Sequence, residues 1–274
     1  MFTRLLLAAF LVAAPAMAQR GRPGIADQLT GLLKLNRSQK ANLETILSAV
    51  RHELLPVTQE MEKGRDVVAQ AMIAVKSQEE IDSLLKTYSA LAAEMTTIQT
   101  KAFARICAAL NPGQLARAGQ AFAVLTRVDG LALVHEEGPQ FPSQHAGIDI
   151  SALERQISKF DLIVGSLNLN GGQRKLVQAV LDDTQKETAP LRDEILRTRP
   201  QIGEAVAACK SQDEIKPAVE SYAALASQMA RLEMKAFTRI IAQLDEKQKT
   251  DRQRLGPVFM MMNGLFMGKN WNEE

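Results

Sequence analysis

Apolar residues recur along this chain at steps of three and four, the period of a helix with one buried face. From Ile81 they run Ile81, Leu84, Leu85, Tyr88, Leu91, Ala92, Met95, Ile98, Ala102, Ile106 and Leu110. A second stripe has the same spacing: Ile215, Ala218, Val219, Tyr222, Leu225, Ala226, Met229, Leu232, Ala236, Ile240 and Leu244. Each predicts one long helix. Its start is marked by Ser-x-x-Glu, at Ser77/Glu80 and Ser211/Glu214, where the hydroxyl accepts from a free amide and the Glu reaches back to the cap. An earlier helix is expected from about Arg37 to Val75, with Leu43, Ile46, Leu47, Val50, Leu54, Val57 and Met61 on one face. Pro56 falls inside it, removing one backbone bond and predicting a kink. Pro190 predicts the same kink later in the chain, and Pro200 a second. The turn around Lys76 and Ser77 is short, so the two long helices lie antiparallel.

The two stripes are copies. KAFARI at Lys101–Ile106 returns as KAFTRI at Lys235–Ile240, an offset of 134 (235 − 101). At that offset Ser77-Gln78-Glu79-Glu80-Ile81 matches Ser211-Gln212-Asp213-Glu214-Ile215, Pro56 matches Pro190, and Asp27 and Gly31 match Asp161 and Gly165. No gap is needed from about residue 24 to 133, so the chain is a tandem duplication. HEEGPQFPSQHAGID, crowded with Gly, Pro and polar residues, reads as the linker between copies. A helix is expected to start near Ser151, capped with Glu154.

Composition adds the compartment. The first eighteen residues join a basic start at Arg4, an apolar run over Leu5–Ala14 and a small-residue cleavage site at Ala16-Met17-Ala18, the pattern of a cleaved secretory signal. The organisation read from the sequence is therefore signal peptide 1–18, first unit 19–134, linker 135–150 and second unit 151–274, exported to the periplasm. No later stretch is long and apolar enough to span a membrane. The formal net charge of +2, without basic blocks, does not point to nucleic acid.

Four short segments punctuate the helices: Leu35-Asn36-x-x-Gln39, Leu110-Asn111-x-x-Gln114, Leu169-Asn170-x-x-Gln173 and Leu244-Asp245-x-x-Gln248. Asn or Asp is a strong N-cap. The Gln three residues on can return a bond to the cap backbone. In each copy one motif opens the first long helix and the other follows the second helix.

These motifs, twice per all-helical unit in an exported chain, resemble the Leu-Thr-x-x-Gln motifs of the Spy/CpxP family and its metal-resistance relatives such as ZraP and CnrX. Asn or Asp stands where that family usually has Thr, which preserves capping. The resemblance covers about residues 25–133 and 159–267. It implies bent helical hairpins that pair into a cradle, here two tandem units forming an intramolecular pseudo-dimer. It also implies ATP-independent binding of unfolded or misfolded envelope proteins, action on a membrane stress-sensor protein, or, as an alternative, metal sensing or buffering.

The remaining residues refine that expectation. No catalytic motif, phosphate loop or His pair at ligand spacing occurs, so neither enzyme activity nor a cofactor is expected. His135 with Glu136 and Glu137 reads as a solvated linker before it reads as a metal site, and no metal site is assigned. Candidate client-binding residues are the basic Arg51, Arg65, Lys101, Arg105, Arg199, Lys235 and Arg239, with Phe259, Met260, Met261 and Met262, since Met-rich surfaces adapt to varied partners. The plainer readings are a solvated basic face and Met packing. Cys107 and the position matching Cys209 lie about 45 Å apart within one unit, at 1.5 Å per residue. A Cys107–Cys209 disulfide would therefore require the units to pack head to tail. The alternative is two buried thiols.

Overall fold

The computed structural model describes residues 24–126 and 158–272. The expected signal peptide, the linker with His135, Glu136, Glu137 and His145, and the helix start at Ser151 and Glu154 lie outside the described residues. The described residues form an all-α fold, and one series of helices is traversed twice. In the first copy these are α1 (Ile25–Leu33), α2 (Arg37–Ile73), α3 (Gln78–Cys107), α4 (Pro112–Leu115) and α5 (Ala118–Leu125). In the second they are α6 (Lys159–Leu167), α7 (Gly171–Ala207), α8 (Gln212–Ile241), α9 (Glu246–Thr250) and α10 (Arg252–Met261), followed by a 3-10 turn at Leu265–Met267.

The ends of these helices are chemically specified. Reciprocal capping boxes form at Asn36/Gln39, Ser77/Glu80 and Asn111/Gln114, and again at Asn170/Gln173, Ser211/Glu214 and Asp245/Gln248. The Ser77 amide and hydroxyl, with Lys76, hold the Glu80 carboxyl below its ordinary value; Ser211 does the same for Glu214. Helix C-termini repeat as well. Lys34, Val75, Asn168 and Cys209 adopt left-handed backbone, with φ of 51°, 52°, 52° and 56°. They are two pairs at the duplication offset, so the copies share backbone conformation as well as sequence.

The long helices α2 and α7, 37 residues each, continue through Pro56, Pro190 and Pro200 and span about 55 Å. Each pairs with the next long helix, α2 with α3 and α7 with α8. The hairpins do not stand apart: α8 lies on both α2 and α3, α3 touches α7, and α5 packs on α7. One apolar core runs through both, from Leu29, Leu54 and Phe103 to Leu181, Ile202 and Phe266. Across the seam Ser227 Oγ donates to the Leu85 carbonyl at 2.9 Å, and Arg231 meets Asp82 at 3.4 Å.

The closest approach is at Gly203. A Cβ there would lie 2.4 Å from Phe122 Cβ and 3.0 Å from the Ala118 carbonyl. Only the missing side chain of Gly203 lets α5 seat Phe122 against α7, where its ring also meets Phe103 at 5.2 Å. The matching positions in the other direction are Ala69 and Gly256. They line a cavity of about 360 Å³ in place of an inserted ring.

Candidate functional site

The paired Leu-Asn/Asp-x-x-Gln motifs form a clasp. Gln39 Nε2 donates to Gln114 Oε1 at 3.0 Å and to the Ala109 carbonyl at 2.7 Å, and Gln114 Nε2 returns a bond to Gln39 Oε1 at 3.0 Å. Gln114 Nε2 also reaches the Lys34 carbonyl at 3.3 Å. In the second copy Gln173 and Gln248 exchange the same bonds, at 2.8 and 3.3 Å, and Gln248 reaches the carbonyls of Leu167 and Asn168. Each Gln thus closes its own cap and ties the hairpin base to the helix before it. Leu35, Leu110 and Leu169 flank this base and pack partly buried on the core, while Leu244 belongs to it. The motif's caps and glutamines are thus used structurally here.

A large concavity, about 1110 Å³, lies between the tip of the first hairpin and helices α7 and α8. Its apolar lining is Met72, Val75 and Ile81 from the tip, with Leu191, Leu225 and Leu232 opposite. Its basic lining is Lys76, Arg231, Lys235 and Arg239, against the acids Glu187 and Glu194. Lys235 pairs with Glu187 at 2.8 Å and Arg239 with Asp183 at 3.6 Å. Val75 combines a left-handed backbone, unfavourable for a β-branched residue, with 87% exposure. An exposed, strained apolar residue at a groove rim is a feature associated with binding sites.

The basic residues singled out in the sequence therefore separate. Lys235 and Arg239 are in the groove. Lys101 and Arg105, their first-copy equivalents, are exposed, and no ion pair of theirs forms among the described residues. For Arg105 the difference follows from sequence, since Ala49 stands where the second copy has Asp183. Lys101 keeps the equivalent of Glu187, Glu53, and sequence does not account for its missing pair. Arg51 is half-buried and partnered. Arg65 and Arg199 correct the expectation of a solvated face: only 5% and 4% of their surfaces are exposed. They point inward because α8 and α3 cover that side of α2 and α7. Arg65 Nη1 donates to Glu233 at 2.9 Å across the seam, and the Gly264 amide donates to the other Glu233 oxygen at 2.8 Å. Burial pushes the Glu233 carboxyl up, against the pull of Arg65 and of the amide. Burial also opposes charge on Arg65, but the attraction of Glu233 and Tyr88 prevails and raises it. The two shifts act in opposite senses on the ion pair. The two short donor contacts to one carboxylate favour the charged pair.

The Met segment divides too. Met262 is fully buried, Phe259 stacks edge-on against Phe237 at 5.3 Å, Met261 is half-buried, and Met260 alone is exposed. Packing accounts for most of it. Cys107 and Cys209 are free thiols, so the disulfide is not formed. Cys209 sits exposed at a left-handed helix end. Cys107 is buried, and that burial, with the nearby charge of Cys209, pushes its thiol to about 11. Among the described residues no group of three or more His, Cys, Asp or Glu is placed to hold a metal ion, and no helix is long and apolar enough to cross a membrane.

The sequence did not mark Met72, Val75, Lys76, Ile81, Leu191, Leu225, Arg231 or Leu232 as binding residues. Most looked like ordinary stripe or surface positions. The usable signal was Val75, an apolar residue just before the Ser77 cap, where a helix terminus favours Gly or Asn. No protein-family model matches the chain, and no similar curated protein or solved structure was found.

Proposed function

We propose that this chain is a Spy/CpxP-like, non-catalytic periplasmic protein that binds unfolded or misfolded envelope proteins without ATP. In this reading its two hairpin units form an intramolecular pseudo-dimer. The observation that supports it is the groove between the first hairpin's tip and α7/α8. Its apolar floor offers the contact that an exposed segment of a misfolded protein seeks. Its four cations, Lys76, Arg231, Lys235 and Arg239, sit in exposed ion pairs with Glu80, Asp82, Glu187 and Asp183, weak pairs that acids of a client segment can exchange with. A segment of a membrane stress-sensor protein with the same chemistry would fit equally. The metal-sensor alternative has no observation among the described residues in its favour.

Suppression of aggregation tests the proposal. A denatured client at stoichiometric protein, without nucleotide, should stay in solution. Val75→Asp should keep the native helical content, because Asp tolerates this backbone and the side chain is exposed, yet weaken suppression severalfold. Absence of suppression by the unaltered protein would overturn the proposal.

A further inference from the structure

A cavity of about 90 Å³ lies where the two hairpins cross. Its walls are matched across the duplication: Arg65 with Arg199, Tyr88 with Tyr222, Ala92 with Ala226, and Met95 with Met229. Three pairs differ, Met61 with Ile195, Thr96 with Ala230 and Gln99 with Glu233, and only the last changes charge. Glu233 stands on one side and Gln99 on the other. Arg65 accordingly has its carboxylate at 2.9 Å. Arg199, equally buried, donates Nε to Tyr222 Oη at 2.9 Å and lies 5.5 Å from that ring's centroid. Among the described residues no carboxylate comes within ion-pair distance of it. Glu62 also lines the cavity, is not free, and makes no ion pair with Arg199.

Two buried polar atoms on this wall, Arg65 Nη2 and Thr58 Oγ1, have no partner. Arg199 bonds through Nε alone, and its two Nη groups, not fully enclosed, make no hydrogen bond among the described residues. Thr58 is only 3% exposed. A buried guanidinium without a counter-charge is costly. The free Nη pair is also the fork that grips a carboxylate by two parallel bonds. Met61, Met95, Ile195, Met229 and Met267 form the cavity's apolar part, beside Thr96, Thr126 and Asn263.

We propose that this cavity binds a small monocarboxylate, its oxygens on the Arg199 Nη groups and its short apolar tail among the methionines. The ligand supplies the negative charge that Gln99 does not. The volume, about three times the share of one water in the liquid, suits a molecule between acetate and butyrate in size. The site is separate from the groove, so its failure would leave the client-binding reading intact.

Thermal unfolding and calorimetric titration with acetate, propionate and butyrate at constant ionic strength, with chloride and phosphate as parallel arms, test it. At a hundredfold excess over Kd a carboxylate should raise Tm by on the order of 5 °C. Gln99→Glu places the missing carboxylate inside the protein. It should raise Tm without ligand and abolish the carboxylate response. Arg199→Met should abolish the response as well; if that variant does not fold, Gln99→Glu decides. Indifference to every carboxylate, an equal response to chloride or phosphate, or a response that survives Gln99→Glu would each overturn the proposal.

Discussion

Val75 shows how much one residue can hold. Its left-handed backbone lets the amides of Val75 and Lys76 bond back to Met72 and Ala71, closing α2. A β-branched side chain in that conformation is strained by about 1–2 kcal/mol. Glycine relieves the strain but enlarges the freedom of the unfolded chain by about 0.4–1 kcal/mol. Val75→Gly should therefore stabilise the fold by about 0.5–1 kcal/mol, seen as a higher urea midpoint at unchanged slope. It should also weaken client capture, because the apolar rim is lost. The capping residues were legible in the sequence, since Asn, Ser or Asp followed three residues later by Gln or Glu has one dominant local use. Burial of Arg65 and Arg199 was not. A basic residue on a helix reads as solvated until the helix that covers it is known. The retained hint was that both arginines and both tyrosines, Tyr88 and Tyr222, survive at the duplication offset.

Among elements, the clasp defines the hairpin base. Gln114 is buried and serves three acceptors and donors at once: the Asn111 amide, the Gln39 side chain and the Lys34 carbonyl. Gln114→Ala leaves the Gln39 amide and the Lys34 carbonyl short of partners and should cost about 1–3 kcal/mol. Gln39→Ala in the same background should add less than it costs alone, because the pair shares its bonds. A double-mutant cycle in denaturant measures this; strict additivity would contradict a shared network. The 75-residue spacing between the two motifs of each copy was visible in the sequence. The side-chain amide exchange was not, because helical periodicity gives the face of each helix and not the approach of its end to another. The breaks after α4 and α9 were hidden for a related reason. Arg117 turns out of the helix, its Nη1 donating to the Leu32 carbonyl at 2.8 Å, a contact that exists only once α1 is in place.

At the scale of the whole molecule the hairpins are held by a shared core and by Arg65–Glu233. Removing one member of a buried pair leaves an uncompensated charge, so Glu233→Ala should cost about 3–5 kcal/mol in thermal or denaturant unfolding. Arg65→Met combined with Glu233→Leu should recover most of that loss, since well-packed apolar replacements of buried pairs are often neutral. If the double variant is as unstable as Glu233→Ala, the pair contributes more than mutual compensation. Sequence periodicity established two all-helical copies. Their mutual packing depended on residues that differ between copies, which a repeat search sets aside as noise.

Phe122 and Gly203 give those differences a further meaning. A chain assembled from two first copies would place Ala69 opposite Phe122, with a methyl group where Gly203 leaves room. A chain assembled from two second copies would set Gly256 opposite Gly203 and bury no ring at all. The halves are thus complementary and cannot be interchanged. Joining them in one chain is what guarantees that the ring of one half always meets the glycine of the other.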